Sequence, residues 1–394
     1  MKTPDILLTP GPTPLPPQVR EALARPIIHH RTAHYRAIFK RTLQGMQTVM
    51  QTAQPVCCLT SSGTGAMEAA VVNLLAPGDE AIVVLGGKFG ERWQELCQAY
   101  AIRAVTVPVT YGDAADPAQV GAALKAHPSA KAVFATLCET STGVVHDIRA
   151  IAQLTRKSQA VLVVDAISGL LADECHTDAW GIDVLVSGSQ KGLMLPPGLA
   201  FISVNERAWA LMERATTSRY YYDLRVARKA LADDDTPFTP AVAIVVALDE
   251  ALKLILGTGV AQRLEHNGQI ARGTRAAVEA MGLSLFAKRP SNGVTAVKVP
   301  QGVDGKKLAA LMYERSGVMV AGGQGEMAGK IIRFAHMGYI TAEDLCAGLT
   351  ALEEALRALN HPVPAGEGVR AAQAIFGARL SAGPAPKGGA RVPS

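Results

Sequence analysis

Long apolar runs are missing from this chain. None reaches the roughly 20 residues that a helix needs to cross a bilayer, which excludes a spanning helix. Cysteine is scarce as well. The six residues Cys57, Cys58, Cys97, Cys138, Cys175 and Cys346 show no zinc-like spacing and lie mostly within apolar segments. Reduced thiols in a cytoplasmic protein are the simplest reading. Aromatic residues make up 5% of the chain, and the net charge of +5 is not gathered into a basic stripe. Nucleic-acid binding is therefore disfavoured. Pro4, Asp5 and Pro10 interrupt any signal-peptide core, and the chain ends Val392-Pro393-Ser394, without a peroxisomal tripeptide. There is no internal repeat. His30 and His34 stand one helical turn apart beside His29, but no carboxylate completes a ligand set. The expectation is no metal, with structural or substrate-adjacent roles for these histidines.

What is present is a large globular chain. Its 394 residues exceed one ordinary core, and 48% are hydrophobic, so two domains are expected. Residues 1–17 are Pro-rich and read as extended. Residues 18–257 read as a large domain of alternating strands and helices, with helices near 33–52 and 63–76. A helical pattern from Pro240 to Met281, broken near Gly257 and Gly259, leads into a smaller α+β domain over 258–360. There Val294–Val299 and Ile331–Ala335 read as strands. Thr341–Leu359 reads as an amphipathic helix that starts at Thr341. Beyond His361 the composition shifts. One more helix is expected over Val369–Leu380, and the Gly-, Pro- and Ala-rich stretch 381–394 is expected to be disordered.

The chemistry lies where apolar runs end. Val161–Asp165 is a continuous buried-strand pattern that ends in a carboxylate. Val56–Thr60 is followed by Ser61-Ser62-Gly63-Thr64-Gly65 and a good helix. Ala132–Ala135 leads to Glu139-Thr140-Ser141-Thr142-Gly143. Ala81–Leu85 leads to Gly86-Gly87-Lys88-Phe89-Gly90. Asp183–Gly188 leads to Ser189-Gln190-Lys191. Strands alternating with helices predict a mostly parallel sheet. Such sheets bind ligands beyond the carboxyl ends of their strands, so these motifs should face one crevice. Gly63 and Thr64 open a helix whose free N–H groups suit a phosphate, with Ser62 and Thr64 adding hydroxyls. Lys191 could form a Schiff base with an aldehyde cofactor. Asp165 could hold a pyridine nitrogen protonated. Phe89 could stack on the ring. Together these groups match pyridoxal 5′-phosphate.

At these residues the chain resembles the class V aminotransferases among the fold-type I pyridoxal phosphate enzymes. Within them it is most similar to the alanine–glyoxylate and serine–pyruvate (serine–glyoxylate) group. The resemblance runs from the Leu7–Thr13 segment to about Leu356. It rests on Ser-Gly-Ser-Gln-Lys191, Pro196-Pro197-Gly198, Asp165, Glu139–Gly143 and the early Pro10-Gly11-Pro12. It implies a large domain with a mostly parallel sheet and a smaller α+β domain. It implies that Lys191 carries the cofactor and that Asp165 holds its ring nitrogen. Ser141 would lie beside the ring, and Gly63, Thr64 and Gln190 would hold the phosphate. Thr239 would reach that phosphate from the neighbouring subunit of a homodimer. Arg333 would clamp the substrate carboxylate, with Gly11 on the segment passing the site. The expected reaction moves an amino group from alanine or serine to glyoxylate or another small 2-oxo acid by a ping-pong route. Phe89 stands where the family often has Trp, and a Tyr near Thr236 is absent.

Other readings remain. Gly63-Thr64-Gly65 also suggests a dinucleotide fingerprint, but Glu68 occupies the third glycine position. A desulfurase or lyase would place His before the lysine, where Gln190 stands. An aminotransferase for another donor, such as ureidoglycine, differs by only a few pocket contacts. A non-catalytic accessory subunit on the same fold is the last alternative. Tyr220–Tyr222 reads as packing or interface, and Asp233–Asp235 as a solvated loop face.

Overall fold

In the computed structural model, seven strands form the central sheet: Val56–Leu59 (β1), Glu80–Leu85 (β2), Arg103–Pro108 (β3), Ala132–Thr136 (β4), Val161–Asp165 (β5), Val184–Gly188 (β6) and Ala200–Val204 (β7). Their spatial order is β1-β7-β6-β5-β4-β2-β3. All neighbouring pairs are parallel except those of β7, which runs antiparallel to both β1 and β6. Two reversals restore direction, so β1 points the same way as β6. The carboxyl ends of β1, β2, β4, β5 and β6 therefore open on one edge, as the strand order requires for a shared crevice. The structure describes residues 5–377. The expected disorder over 381–394, and the end of the helix expected to reach Leu380, lie outside the described residues.

Period-two alternation divides the sheet between two apolar layers. Ile82, Val84, Val133, Ala135, Leu162 and Val164 pack on one face, against Tyr35, Phe39 and Met46 of the helix Ala33–Met50. Val83, Phe134, Val161, Val163 and Val186 pack on the other. That face meets Met67 of helix α1 (Gly63–Leu74) and Trp93 of helix α2 (Lys88–Ala99). Burial on both faces explains why these strands read as continuous aliphatic runs. β3 is the exception: it lies at the sheet edge, is largely exposed and ends in Pro108.

Helix α3 (Val242–Thr258) lies on the first of these layers. It stops at Gly259, whose φ of +93° suits glycine, and helix α4 (Val260–Ala280) begins there. α4 leads to a second apolar cluster with a three-stranded antiparallel sheet of Val294–Lys298 (β8), Ala321–Gly322 (β9) and Ile331–Ala335 (β10). Helix α5 (Ala342–Ala358) covers it, opened by a Thr341–Asp344 capping box. The change of composition after His361 does not mark a separate body. Helix α6 (Glu367–Phe376) packs into the same cluster, with the Phe376 ring where any side chain on Gly273 would have to go. The N-terminal segment joins it too: Ile6–Leu7 pairs in parallel with Val318–Met319, and Leu8 is fully buried.

One expectation is corrected. Asp233–Asp235 is not a solvated face throughout. Asp235 is buried and accepts from Arg31 at 2.8 Å and Arg36 at 2.9 Å, while Asp234 pairs with Lys40 at 3.0 Å. His29 and His30 stack on each other, 4.8 Å between ring centroids. Among the described residues no helix is long and apolar enough to cross a membrane.

Candidate active site

Lys191 follows β6 on a turn that other segments lock from both sides. Ser189 Oγ donates to Pro196 O at 2.6 Å. Thr13 donates through its N–H to Gln190 O and through its hydroxyl to Lys191 O at 3.0 Å. The lysine is 7% exposed, and its ammonium donates to Pro10 O. Gly11, at φ +119°, lies against the lysine stem. Burial lowers the Lys191 pKa from 10.5 to about 8; Cys138 and Asp165 oppose that shift, and Arg333 and Arg92 add to it. The lysine is thus within electrostatic reach of the carboxylate at the end of β5 and of the arginine on β10.

Asp165 is buried, 3% exposed. Burial pushes its pKa up to about 7, against the pull of the Ile167 N–H, which donates to Oδ1 at 2.8 Å. Its other oxygen makes no hydrogen bond among the described residues. A buried carboxylate with an idle oxygen lacks a donor. A ring N–H would be such a donor.

The start of α1 lies beside β6. A side chain on Gly188 would come within 3.3 Å of Gly63 N and 3.1 Å of Gln190 Oε1. The N–H groups of Gly63 and Thr64 have no partner among the described residues, as first-turn donors do not. Gln190 Oε1 is also buried without one. Ser62, the N-cap, is exposed with no side-chain cap bond. Unpaired N–H donors and glycines at closest approach together make a fitting seat for a phosphate. Gln190 can join it only through its amide N–H₂, since the orphaned oxygen is an acceptor.

Phe89 lies in the first turn of α2. The Arg92 guanidinium sits 4.9 Å from its ring centroid and donates to Thr64 Oγ1 at 3.2 Å. Arg92 therefore ties the expected stacking residue to the expected phosphate seat. Sequence reasoning missed it, although it stands three residues after Phe89, on the same helical face. Ser141 is buried. Its hydroxyl donates to Glu139 at 2.5 Å and accepts from Lys88 N at 3.1 Å. Glu139 is the second residue missed; it was visible only as part of the Glu139–Gly143 motif.

Arg333 is 4% exposed on β10. Nε and Nη2 donate to Gly322 O at 3.0 and 2.7 Å, and Nη1 donates to Thr140 O at 2.7 Å. One N–H on each terminal nitrogen has no partner among the described residues, which leaves two donors for a carboxylate. Burial lowers its pKa to about 10, partly offset by Glu139 and Cys138, so it remains charged at neutral pH. Thr239 stands apart: it is exposed and makes no hydrogen bond among the described residues. Beside it, the Phe238 ring lies 5.1 Å from Tyr221 and 5.5 Å from Tyr220, which is 81% exposed.

Fold and site together define the class: a fold-type I α/β enzyme whose buried lysine, carboxylate and phosphate seat suit pyridoxal phosphate. The chain belongs to the class V aminotransferases; the family pattern (Aminotransferase class-V) matches residues 7–346. It is a pyridoxal-phosphate-dependent aminotransferase. It is 39% identical to the soluble hydrogenase small subunit of Synechococcus sp. (strain PCC 6716), over 94% of this chain and 98% of that one. It is 35% identical to the L-aspartate–glyoxylate aminotransferase of Paracoccus denitrificans, over 93% and 95%. The crystal structure of pyridoxamine–pyruvate aminotransferase from Mesorhizobium loti superposes with a TM-score of 0.92 at 32% identity, covering 96% and 98% of the two chains.

Proposed function

We propose that this aminotransferase moves an amino group from a small L-amino acid, alanine or serine, to glyoxylate or another small 2-oxo acid. One observation carries the reading: the Lys191 amine is buried within electrostatic reach of the Asp165 carboxylate and the Arg333 guanidinium, which are buried as well. Pyridoxal phosphate, when bound, supplies the electron sink for the pair released at the substrate's Cα. Lys191 would hold it covalently and Asp165 would keep its ring nitrogen protonated. Gly63, Thr64 and Gln190, with Ser62 at the helix mouth, would hold its phosphate. Phe89 and Ser141 would flank its ring.

The remaining steps belong to the protein. The free N–H pair of Arg333 fixes the donor's carboxylate and so aims its Cα–H bond. Lys191 Nζ, released from its covalent bond when the donor's amine takes its place, would accept the proton from Cα and later give it up again. Its low pKa lets it be base and acid near neutrality. The Pro10–Thr13 segment covers the lysine and limits water. The donor's oxo acid leaves before the acceptor enters, which is a ping-pong order.

Glyoxylate as acceptor is supported by the name of the Paracoccus relative. That name also raises aspartate as a donor, and the hydrogenase name raises a second role as a subunit of an oxidoreductase assembly. Burying Lys191, Asp165 and Arg333 is costly, and a chain without chemistry has no need of them. A second copy of this chain would bring Thr239 to the phosphate; its exposure beside an exposed aromatic cluster supports a homodimer. The six unpaired cysteines support a reducing, cytoplasmic setting. The test is a single-turnover panel of alanine, serine and aspartate. Faster conversion with alanine or serine supports the reading, and a clear preference for aspartate replaces the donor.

A further inference from the structure

Helix α2 begins without a cap of its own. Its N-cap is Gly87, and no side chain of its own segment bonds the first turn. Yet all three first-turn N–H groups are satisfied from about fifty residues away. Lys88 N donates to Ser141 Oγ at 3.1 Å, and Phe89 N and Gly90 N both donate to Glu139 Oε2 at 3.1 Å. The other oxygen of Glu139 accepts from Ser141 N at 3.1 Å and from Ser141 Oγ at 2.5 Å. Gly87 has to be glycine for this approach: a methyl there would fall 2.5 Å from Glu139 Cδ and from Ser141 Oγ.

Four donors face the Glu139 carboxyl group, three of them backbone N–H groups that cannot accept, and the group is fully buried. An ionised carboxylate satisfies all four, whereas a protonated one could place its O–H only on Ser141 Oγ and would lose the bond that hydroxyl donates. Burial is the largest influence and leaves the Glu139 pKa raised on balance, while the four donors pull against it; the donor geometry is what favours the ionised form. The positive end of the α2 dipole favours the same ionised form.

We propose that Glu139 is a positioning residue that caps α2 from another strand's loop and thereby fixes Phe89 and Ser141 as one unit beside the cofactor. The hydroxyl of Ser141 gives its only proton to Glu139. It therefore meets the cofactor solely as an acceptor. The inference rests on the reading that Phe89 and Ser141 flank the cofactor.

The test compares wild type, Glu139→Gln and Ser141→Ala as apoproteins. Amide hydrogen exchange is followed by mass spectrometry, and pyridoxal phosphate is then titrated against tryptophan fluorescence. In Glu139→Gln an amide N–H₂ replaces one acceptor oxygen. The segment 86–92 should exchange on the order of tenfold faster, with β4 and β5 unchanged, and cofactor affinity should fall by a similar factor. Ser141→Ala should speed exchange at Lys88 more than at Gly90. Unchanged exchange over 86–92, or a uniform rise across the whole domain, overturns the cap. Faster local exchange with unaltered cofactor affinity overturns the positioning role. A wild-type apoprotein that fails to take up the cofactor sinks the aminotransferase reading, and this inference with it.

Discussion

Gly11 lies so close to Lys191 that a methyl group on its α-carbon would fall 2.5 Å from the ammonium nitrogen. Its φ of +119° is a second demand for glycine. The N-terminal segment, held by Leu8 in one apolar cluster, thus presses on a lysine carried by the other part of the molecule. Gly11→Ala should fold, because the strain can be relieved by moving the segment, but turnover should drop roughly a hundredfold as the lysine is displaced. Turnover near that of wild type would show that the contact does not bear on the reaction.

Burial holds the Lys191 pKa near 8 rather than 10.5. Only the neutral amine can attack an aldehyde. Recombination of the apoprotein with pyridoxal phosphate should therefore quicken about tenfold per pH unit below 8 and level off above it. A rate still climbing at that slope up to pH 10 would contradict the buried environment assigned to this amine.

Asp165 carries the opposite sign. Its folded pKa of about 7 lies above the ordinary 3.8, so between these values the folded apoprotein binds more protons than the unfolded chain. This contribution to stability is complete below about pH 4 and is lost as pH rises through 7. The Tm difference between Asp165→Asn and wild-type apoprotein should shift in favour of the variant over that interval. The loaded variant should lose roughly a hundredfold or more in kcat, because a neutral amide does not hold the ring nitrogen protonated. A pH-independent Tm difference would remove the first claim, and an unchanged kcat the second.

Arg333→Lys keeps the positive charge but not the fork. KM for the amino donor should rise roughly 10- to 100-fold, with kcat changing less. An unchanged KM would take the substrate carboxylate away from this residue.

The strand ends, Lys191, Asp165 and the Gly63–Gly65 helix start were legible because each signal is local: an apolar run, a turn, a reactive group. The α3–α4 break at Gly259 was legible for the same reason. What escaped depends on distant partners. Glu139 looks like any motif glutamate until the donors to its carboxylate are traced to Phe89 and Gly90, about fifty residues earlier. Asp235 reads as solvated because its cations, Arg31 and Arg36, lie about 200 residues away. Helix α6 was expected, but its docking was not: only the space left at Gly273 shows where Phe376 belongs.

The central claim is that Lys191 carries the cofactor and transfers amino groups with it. The most direct measurement is the visible absorption spectrum of the loaded protein during stepwise addition of L-alanine, L-serine and glyoxylate, beside Lys191→Ala. The account predicts a yellow band in wild type that bleaches with a small amino donor and returns with glyoxylate. It predicts no such cycle in the variant. A wild-type protein that shows no band with added pyridoxal phosphate, or a variant that cycles like wild type, would contradict it.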